Sequence, residues 1–190
     1  MIKGSFLDGR VLVIVGDITK QPQTDVIVNA ANYTLLGGGG VDFAIHEAGG
    51  PEILRACQEL RRTRYPQGLP TGEAVITTAG RLNARYVVHT VGPVKGVHGD
   101  RDAELLASCY NKSLLLAAEH GLHSIAFPAI STGIYSYPRD EAAAIASKVI
   151  ADFLARNTVP KEVRLVFYSE RDAAVFLNHH LFPTADQAGS

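Results

Sequence analysis

The sequence predicts an α/β fold in which helices cover both faces of a mainly parallel sheet. Three observations lead to it. Short apolar runs rich in β-branched residues, such as Val26-Ile27-Val28 and Val87-Val88, recur along the chain; such runs read as strands buried on both faces. Longer stretches with leucine and alanine at helical spacing alternate with them, and strand–helix alternation builds a sheet between two helical layers. Polar loops follow the strands at Asp17, Asn29 to Asp42, Ser131 to Tyr135 and Tyr168-Ser169. Ligands in such folds lie at the carboxyl ends of strands, so these four loops are expected to converge on one cleft.

Met1 to Gly9 read as a lead-in. Arg10 to Val15 form the first strand, which Gly16-Asp17-Ile18-Thr19 ends. Asp17 is placed either to cap the turn Ile18-Thr19-Lys20 or to accept from a base amino group. Thr24 to Asn29 form the second strand. Asp42 to Ala48 read as a helix closed by Gly49-Gly50, and Pro51 suits the first turn of the next helix, Pro51 to Arg62. Tyr65 to Thr71, with Pro66, Gly68 and Pro70, form a loop. Glu73 to Ala79 and Arg85 to Val91 are strands, and Gly92-Pro93 stops the second. Val94 to Arg101 form a loop. Asp102 to His120 is a long helix ending at Gly121. Ser124 to Ala129 is a strand, Ile130 to Pro138 a loop and Arg139 to Arg156 a helix. Glu162 to Tyr168 is the last strand. A helix from Ser169 or Glu170 to His180 follows.

At 190 residues the chain is expected to form one domain over residues 1–182, with a flexible tail over 183–190. The net charge of −1 provides no global basic field for nucleic acid. The two cysteines, Cys57 and Cys109, form no CxxC pattern and read as reduced core residues of a cytoplasmic protein. No apolar run is long enough to span a membrane, and the start lacks a signal-peptide core.

The organising stretch runs from Val26 to His46. A buried strand ends in Asn29 and Asn32, Gly37 to Gly40 follow, and Asp42 opens a helix. Glycines bring backbone N–H groups close to a ligand, and a helix start adds unpaired N–H groups and a positive dipole end. Together they form a site for a phosphate or another anion. The plain alternative makes Asp42 a helix N-cap and the asparagines turn residues. Four successive glycines exceed what a plain turn needs. Ser131 to Tyr135 follow a strand and precede a helix, so they can form a second phosphate cradle. A rival reading makes Ser131 the nucleophile of a variant elbow, with Asp152 or Asp172 and then His179 downstream. Ala129, however, stands where that motif has its first glycine. His46 lies one helical turn from Asp42, and His89 reads as a satisfied core residue. The seven histidines show no metal-binding spacing.

These stretches together resemble the macrodomain family, in its MacroD-type branch. The matching segments are Gly16 to Thr19, Val28 to Asn32, Gly37 to Asp42, Ala44 to His46, Pro70 to Gly72, His89 to Pro93 and Pro128 to Tyr135. The resemblance implies an α/β/α sandwich around a mixed six-stranded sheet, with ADP-ribose in the cleft. It implies removal of mono-ADP-ribose from acidic protein side chains and deacetylation of O-acetyl-ADP-ribose. Asn32 and Asp42 match its catalytic positions, with His46 and Tyr135 in support. Asp17 would bind the adenine amino group, Ile18 would line that pocket, and Tyr168 would lie near the ring. Gly37, Gly38, Gly39, Gly40 and Val41, up to Asp42, would form the loop around the distal ribose, and Asn29 would be a further ligand-binding residue. Ser131, Thr132, Gly133 and Ile134 would hold the diphosphate. No cofactor or metal is implied, and the chain is expected to act as a monomer, with no membrane or nucleic-acid partner. Two departures stand out: Phe43 and Ser136 occupy positions where the family usually has glycine. A non-catalytic ADP-ribose reader and the serine hydrolase are the alternative functions.

Overall fold

The computed structural model describes residues 1–183. Among them seven strands form one mixed sheet: β1 (Ile2–Phe6), β2 (Val11–Val15), β3 (Val26–Ala31), β4 (Ala74–Thr78), β5 (Tyr86–Val91), β6 (Ser124–Phe127) and β7 (Glu162–Phe167). Their order is β1-β2-β7-β6-β3-β5-β4. The inner strands β2, β7, β6, β3 and β5 run parallel. The edge strands β1 and β4 pair antiparallel with their neighbours. Five α-helices cover the sheet: α1 (Gly40–Gly49), α2 (Pro51–Thr63), α3 (Asp102–Glu119), α4 (Arg139–Arg156) and α5 (Glu170–His179). None of the described helices is long and apolar enough to cross a membrane.

Alternation along the strands divides the core in two. Ile27, Ala31, Val75, Val87 and Val91 pack with Ile45 of α1 and with Ile53 and Cys57 of α2. Val26, Val28, Val88 and Phe127 face the other way, against Leu106 and Leu114 of α3 and Ile150 and Leu154 of α4. The layers are thus helix, sheet, helix, as the strand–helix alternation predicts.

Two expectations are corrected. The lead-in contains a strand, so the sheet has seven strands and not six. Ile2-Lys3-Gly4-Ser5-Phe6 lacks a clean apolar pattern because it is an edge strand, held on one side by the β2 backbone with a register shift between Ile2 and Gly4. The first helix starts at Gly40 and not at Asp42, with Gly39 as its N-cap. Its end falls where the glycine pair predicts. Gly50 adopts φ 79°, its N–H donates to the His46 carbonyl, and Pro51 opens α2. The tail expected over 183–190 lies, beyond Pro183, outside the described residues.

Candidate active site

The parallel inner strands bring their carboxyl ends to one edge of the sheet. There a cleft of about 280 Å³ opens between two loops. One wall is Ala30 to Asn32 with Gly38 to Asp42; the other is Ala129 to Ser131 with Gly133 to Tyr135, and Gly92 also lines it.

Asp42 sits in the first turn of α1, where the helix dipole favours a negative charge. It is not the N-cap. Its side chain is buried, and its Oδ1 accepts from Asn29 Nδ2 at 2.7 Å. His46 Nε2 lies 3.4 Å from the same oxygen. The other oxygen is aimed at Gly38: a Cβ there would lie 3.0 Å from Asp42 Oδ2 and 2.9 Å from Asn32 Nδ2. Only glycine lets the loop pass between these two side chains. Asn32 is anchored by the loop it borders, its Oδ1 accepting from Thr34 N at 3.0 Å and its Nδ2 donating to the Gly37 carbonyl at 3.1 Å. Tyr135 lies on the opposite wall. Burial pushes its hydroxyl pKa up, and the nearby negative charge of Asp42 adds to the effect.

Ser131 adopts φ 65°, a left-handed conformation that a residue with a Cβ occupies only when its surroundings impose it. Its Oγ is buried and has no hydrogen-bond partner. Gly92 lies under it, and a Cβ on Gly92 would come within 2.1 Å of that oxygen. Among the described residues no base is hydrogen-bonded to Ser131 Oγ, and the three expected partners are engaged elsewhere. Asp172 pairs with Arg139 at 2.8 Å, Asp152 with Lys148 at 3.1 Å, and His179 Nδ1 faces the Val175 carbonyl at 2.9 Å.

Not all the expected residues line this cleft. Asp17 caps the turn after β2, accepting from Thr19 N at 2.9 Å and Thr19 Oγ1 at 2.6 Å. The hydroxyl of Thr19 is the main reason its carboxyl pKa is lowered. Ile18 is buried in the core on the α1–α2 side. Thr132 faces a separate small cavity with Arg139 and Asp172. Tyr168 is 88% exposed at the end of β7. Gly37 is tied to Asn32, while Asn29 and His46 act behind Asp42 and not on the wall. Phe43, one of the two departures from the family pattern, is 59% exposed and is not among the cleft-lining residues.

Behind Asp42 lies a cluster that spacing did not reveal. His46, Cys57 and His89 place one ligand atom each within 4.8 Å of one another. They come from three separate elements, so no linear motif marks them. His89 Nε2 already meets Thr77 Oγ1 at 2.8 Å. Burial pushes the Cys57 thiol up to about 12, with the Asp42 charge adding to it. Burial also pushes His89 down to about 3. An unfolded histidine titrates near 6.5, so between about pH 6.5 and 3 the unfolded chain binds a proton that folded His89 does not. Stability therefore falls as pH drops through that window. In thermal melts from pH 7 to pH 4, His89→Asn is expected to show a shallower decline than the wild type; equal slopes would contradict this.

The comparisons agree with this geometry. Residues 28–146 match the Macro domain family. The chain is 62% identical over 159 residues to a Streptomyces griseus protein named "Macro domain-containing protein in non 5'region", covering 83% of this chain and 87% of that one. It is 52% identical over 170 residues to a protein of Escherichia fergusonii named O-acetyl-ADP-ribose deacetylase, covering 90% and 94%. A solved structure of an Oceanobacillus iheyensis macrodomain mutant with ADPR superposes with a TM-score of 0.87 at 49% identity, covering 94% of this chain and 95% of that one. A family match over residues 28–146, which include both cleft loops and more than half of the chain, with relatives this similar, establishes that the chain belongs to the Macro domain family.

Proposed function

We propose that this chain binds ADP-ribose and hydrolyses its esters, deacetylating O-acetyl-ADP-ribose and releasing mono-ADP-ribose from acidic protein side chains. The carrying observation is the buried Asp42 carboxylate. One oxygen is held by Asn29, and the other faces Gly38 beside Asn32 at the edge of a two-walled cleft. The names of the similar proteins, a deacetylase of O-acetyl-ADP-ribose and a macrodomain solved with ADPR, fit this reading.

In this mechanism the Gly38-to-Val41 and Ser131-to-Tyr135 loops hold the diphosphate and distal ribose, contributing positioning. Asn32 fixes a ribose hydroxyl. Asp42 Oδ2 accepts a proton from water as it attacks the ester carbonyl, a general-base role requiring hydrogen-bond reach. The acyl–oxygen bond breaks, the proton held by Asp42 passes to the departing ribose oxygen, and ADP-ribose, the free acid and an ionised Asp42 result. His46 lies behind Asp42, its Nε2 3.4 Å from Oδ1 without a hydrogen bond, and limits the room in which the carboxylate can move; Tyr135 closes the opposite wall. No cofactor takes part. Release of product from either ester tests the reading, with an Asn32→Ala, Asp42→Ala double variant as reference.

The adenine end gives a separate test. Asp17 Oδ1 caps its turn; Oδ2 faces only the exposed Lys20 Nζ at 3.6 Å, which leaves it room to accept from an adenine amino group. Asp17→Ala is expected to weaken ADP-ribose binding about ten- to a hundredfold, the worth of a hydrogen bond to a charged group. Calorimetry checks it; an unchanged dissociation constant would make Asp17 a turn cap alone.

A further inference from the structure

We propose that His89, which is not among the cleft-lining residues, is a positioning residue for Asp42. It sets the orientation of the Asn29 side-chain amide and, through it, which carboxylate oxygen is left free. The inference rests on the proposed role of Asp42 in ester hydrolysis.

Strand register creates the arrangement. Asn29 of β3 lies opposite His89 of β5, and Val75 of β4 lies opposite His89 on its other side. Thr77, two residues on from Val75, shares that face. Their neighbours on it, Ile27, Ala31, Val75, Val87 and Val91, are buried apolar residues. A fully buried asparagine and histidine at matched register in an apolar layer require mutual hydrogen bonds.

Each bond dictates the next. An ionised carboxylate can only accept, so Asn29 must present Nδ2 to Asp42 Oδ1, at 2.7 Å. The second hydrogen of the same nitrogen points to His89 Nδ1, 3.1 Å away, which must accept it. The imidazole proton is then on Nε2 and is donated to Thr77 Oγ1 at 2.8 Å. Thr77 passes its own proton to the Thr78 carbonyl at 3.0 Å. The chain runs from the carboxylate to fixed backbone with every polarity determined. Burial keeps His89 neutral, which this sequence of donors requires.

Asn29 Oδ1 is buried with no partner. Nothing on that side holds the amide, so only its two Nδ2 bonds prevent it from turning over. Without an acceptor at the His89 Nδ1 position, one of those bonds is lost. A reversed amide would set Oδ1 against the Asp42 carboxylate. Asp42 would then shift toward its other neighbours, His46 on α1, Cys57 on α2 and Tyr135 across the cleft.

Two variants separate this role from packing. His89→Asn keeps an acceptor near the Nδ1 position and loses the donor to Thr77. His89→Gln keeps a donor near the Nε2 position and loses the acceptor for Asn29. On O-acetyl-ADP-ribose, His89→Gln is expected to lose about tenfold or more in kcat, with KM and the Kd for ADP-ribose within about twofold of wild type. His89→Asn is expected to keep kcat within about threefold, although it is also truncated. Equal kcat in the two variants, whether both intact or both reduced, would overturn the proposal. A wild type that binds ADP-ribose but hydrolyses neither ester would instead overturn the hydrolase reading. Nitrogen-15 spectra of wild-type His89 test the donor sequence without turnover: a neutral Nε2–H tautomer is expected across about pH 5 to 8. An Nδ1–H tautomer would overturn it.

Discussion

Asp42→Asn is expected to lower ester hydrolysis by about 10²- to 10⁴-fold, the usual worth of a positioned general base. Asparagine keeps the size and shape of the side chain, and its Oδ1 can still accept from Asn29 Nδ2, so the buried partners are not left unpaired. What it lacks is a second oxygen able to take a proton beside Asn32. Asp42→Ala removes the base too, but it also leaves Asn29 Nδ2 without its 2.7 Å partner, at about 1–3 kcal/mol. The two variants should therefore differ in melting temperature and agree in rate. ADP-ribose affinity should stay within about threefold of wild type for Asp42→Asn, because in the proposed site backbone groups of two loops would hold the ligand. Single-turnover hydrolysis and calorimetry on the same preparations check both. A wild-type rate in Asp42→Asn would remove the carboxylate from the mechanism.

Gly39→Glu is expected to abolish measurable ADP-ribose binding without unfolding the protein. Gly39 has φ −97° and ψ 179°, an extended conformation open to any residue. A Cβ built on it meets nothing within 4 Å, and the residue lines the cleft. The new carboxylate would share that cleft with a diphosphate. Two like charges about 4 Å apart repel by about 4 kcal/mol at a surface-like dielectric, equivalent to about a thousandfold in affinity. Gly39→Gln adds the same bulk without the charge and should lose far less. Salt should narrow the gap between them. Retained tight binding in Gly39→Glu would mean that the loop does not face the ligand.

The inner sheet was readable because its strands are short, apolar and rich in valine and isoleucine, and burial on both faces demands that pattern. The Gly49-Gly50-Pro51 junction was readable for a local reason: a helix stop and a helix start are written in adjacent residues. β1 was not, since an edge strand owes its existence to backbone pairing with β2 and needs little apolar sequence of its own. The start of α1 is not legible at Gly40 because glycine is a poor helix former, yet Gly40 belongs to the first turn of a helix whose later turns are packed by Ile45. At the site, Asn32, Asp42 and both loops were legible as motifs at strand ends. The support behind Asp42 was not, because Asn29, Thr77 and His89 meet only through strand register. A signal existed nonetheless: each of the apolar runs Val26–Ala31 and Tyr86–Val91 is interrupted by one strongly polar residue, and those two residues pair. Gly92 likewise meets Ser131 only in the folded chain.

The most direct measurement is the time course of ADP-ribose release from a glutamate-linked mono-ADP-ribosylated protein, with acetate release from O-acetyl-ADP-ribose followed in parallel. The wild type is expected to turn over both esters, and the Asn32→Ala, Asp42→Ala double variant neither. Tight ADP-ribose binding by a wild type no faster than the double variant on both substrates would contradict the hydrolase assignment and leave a reader of ADP-ribose in its place.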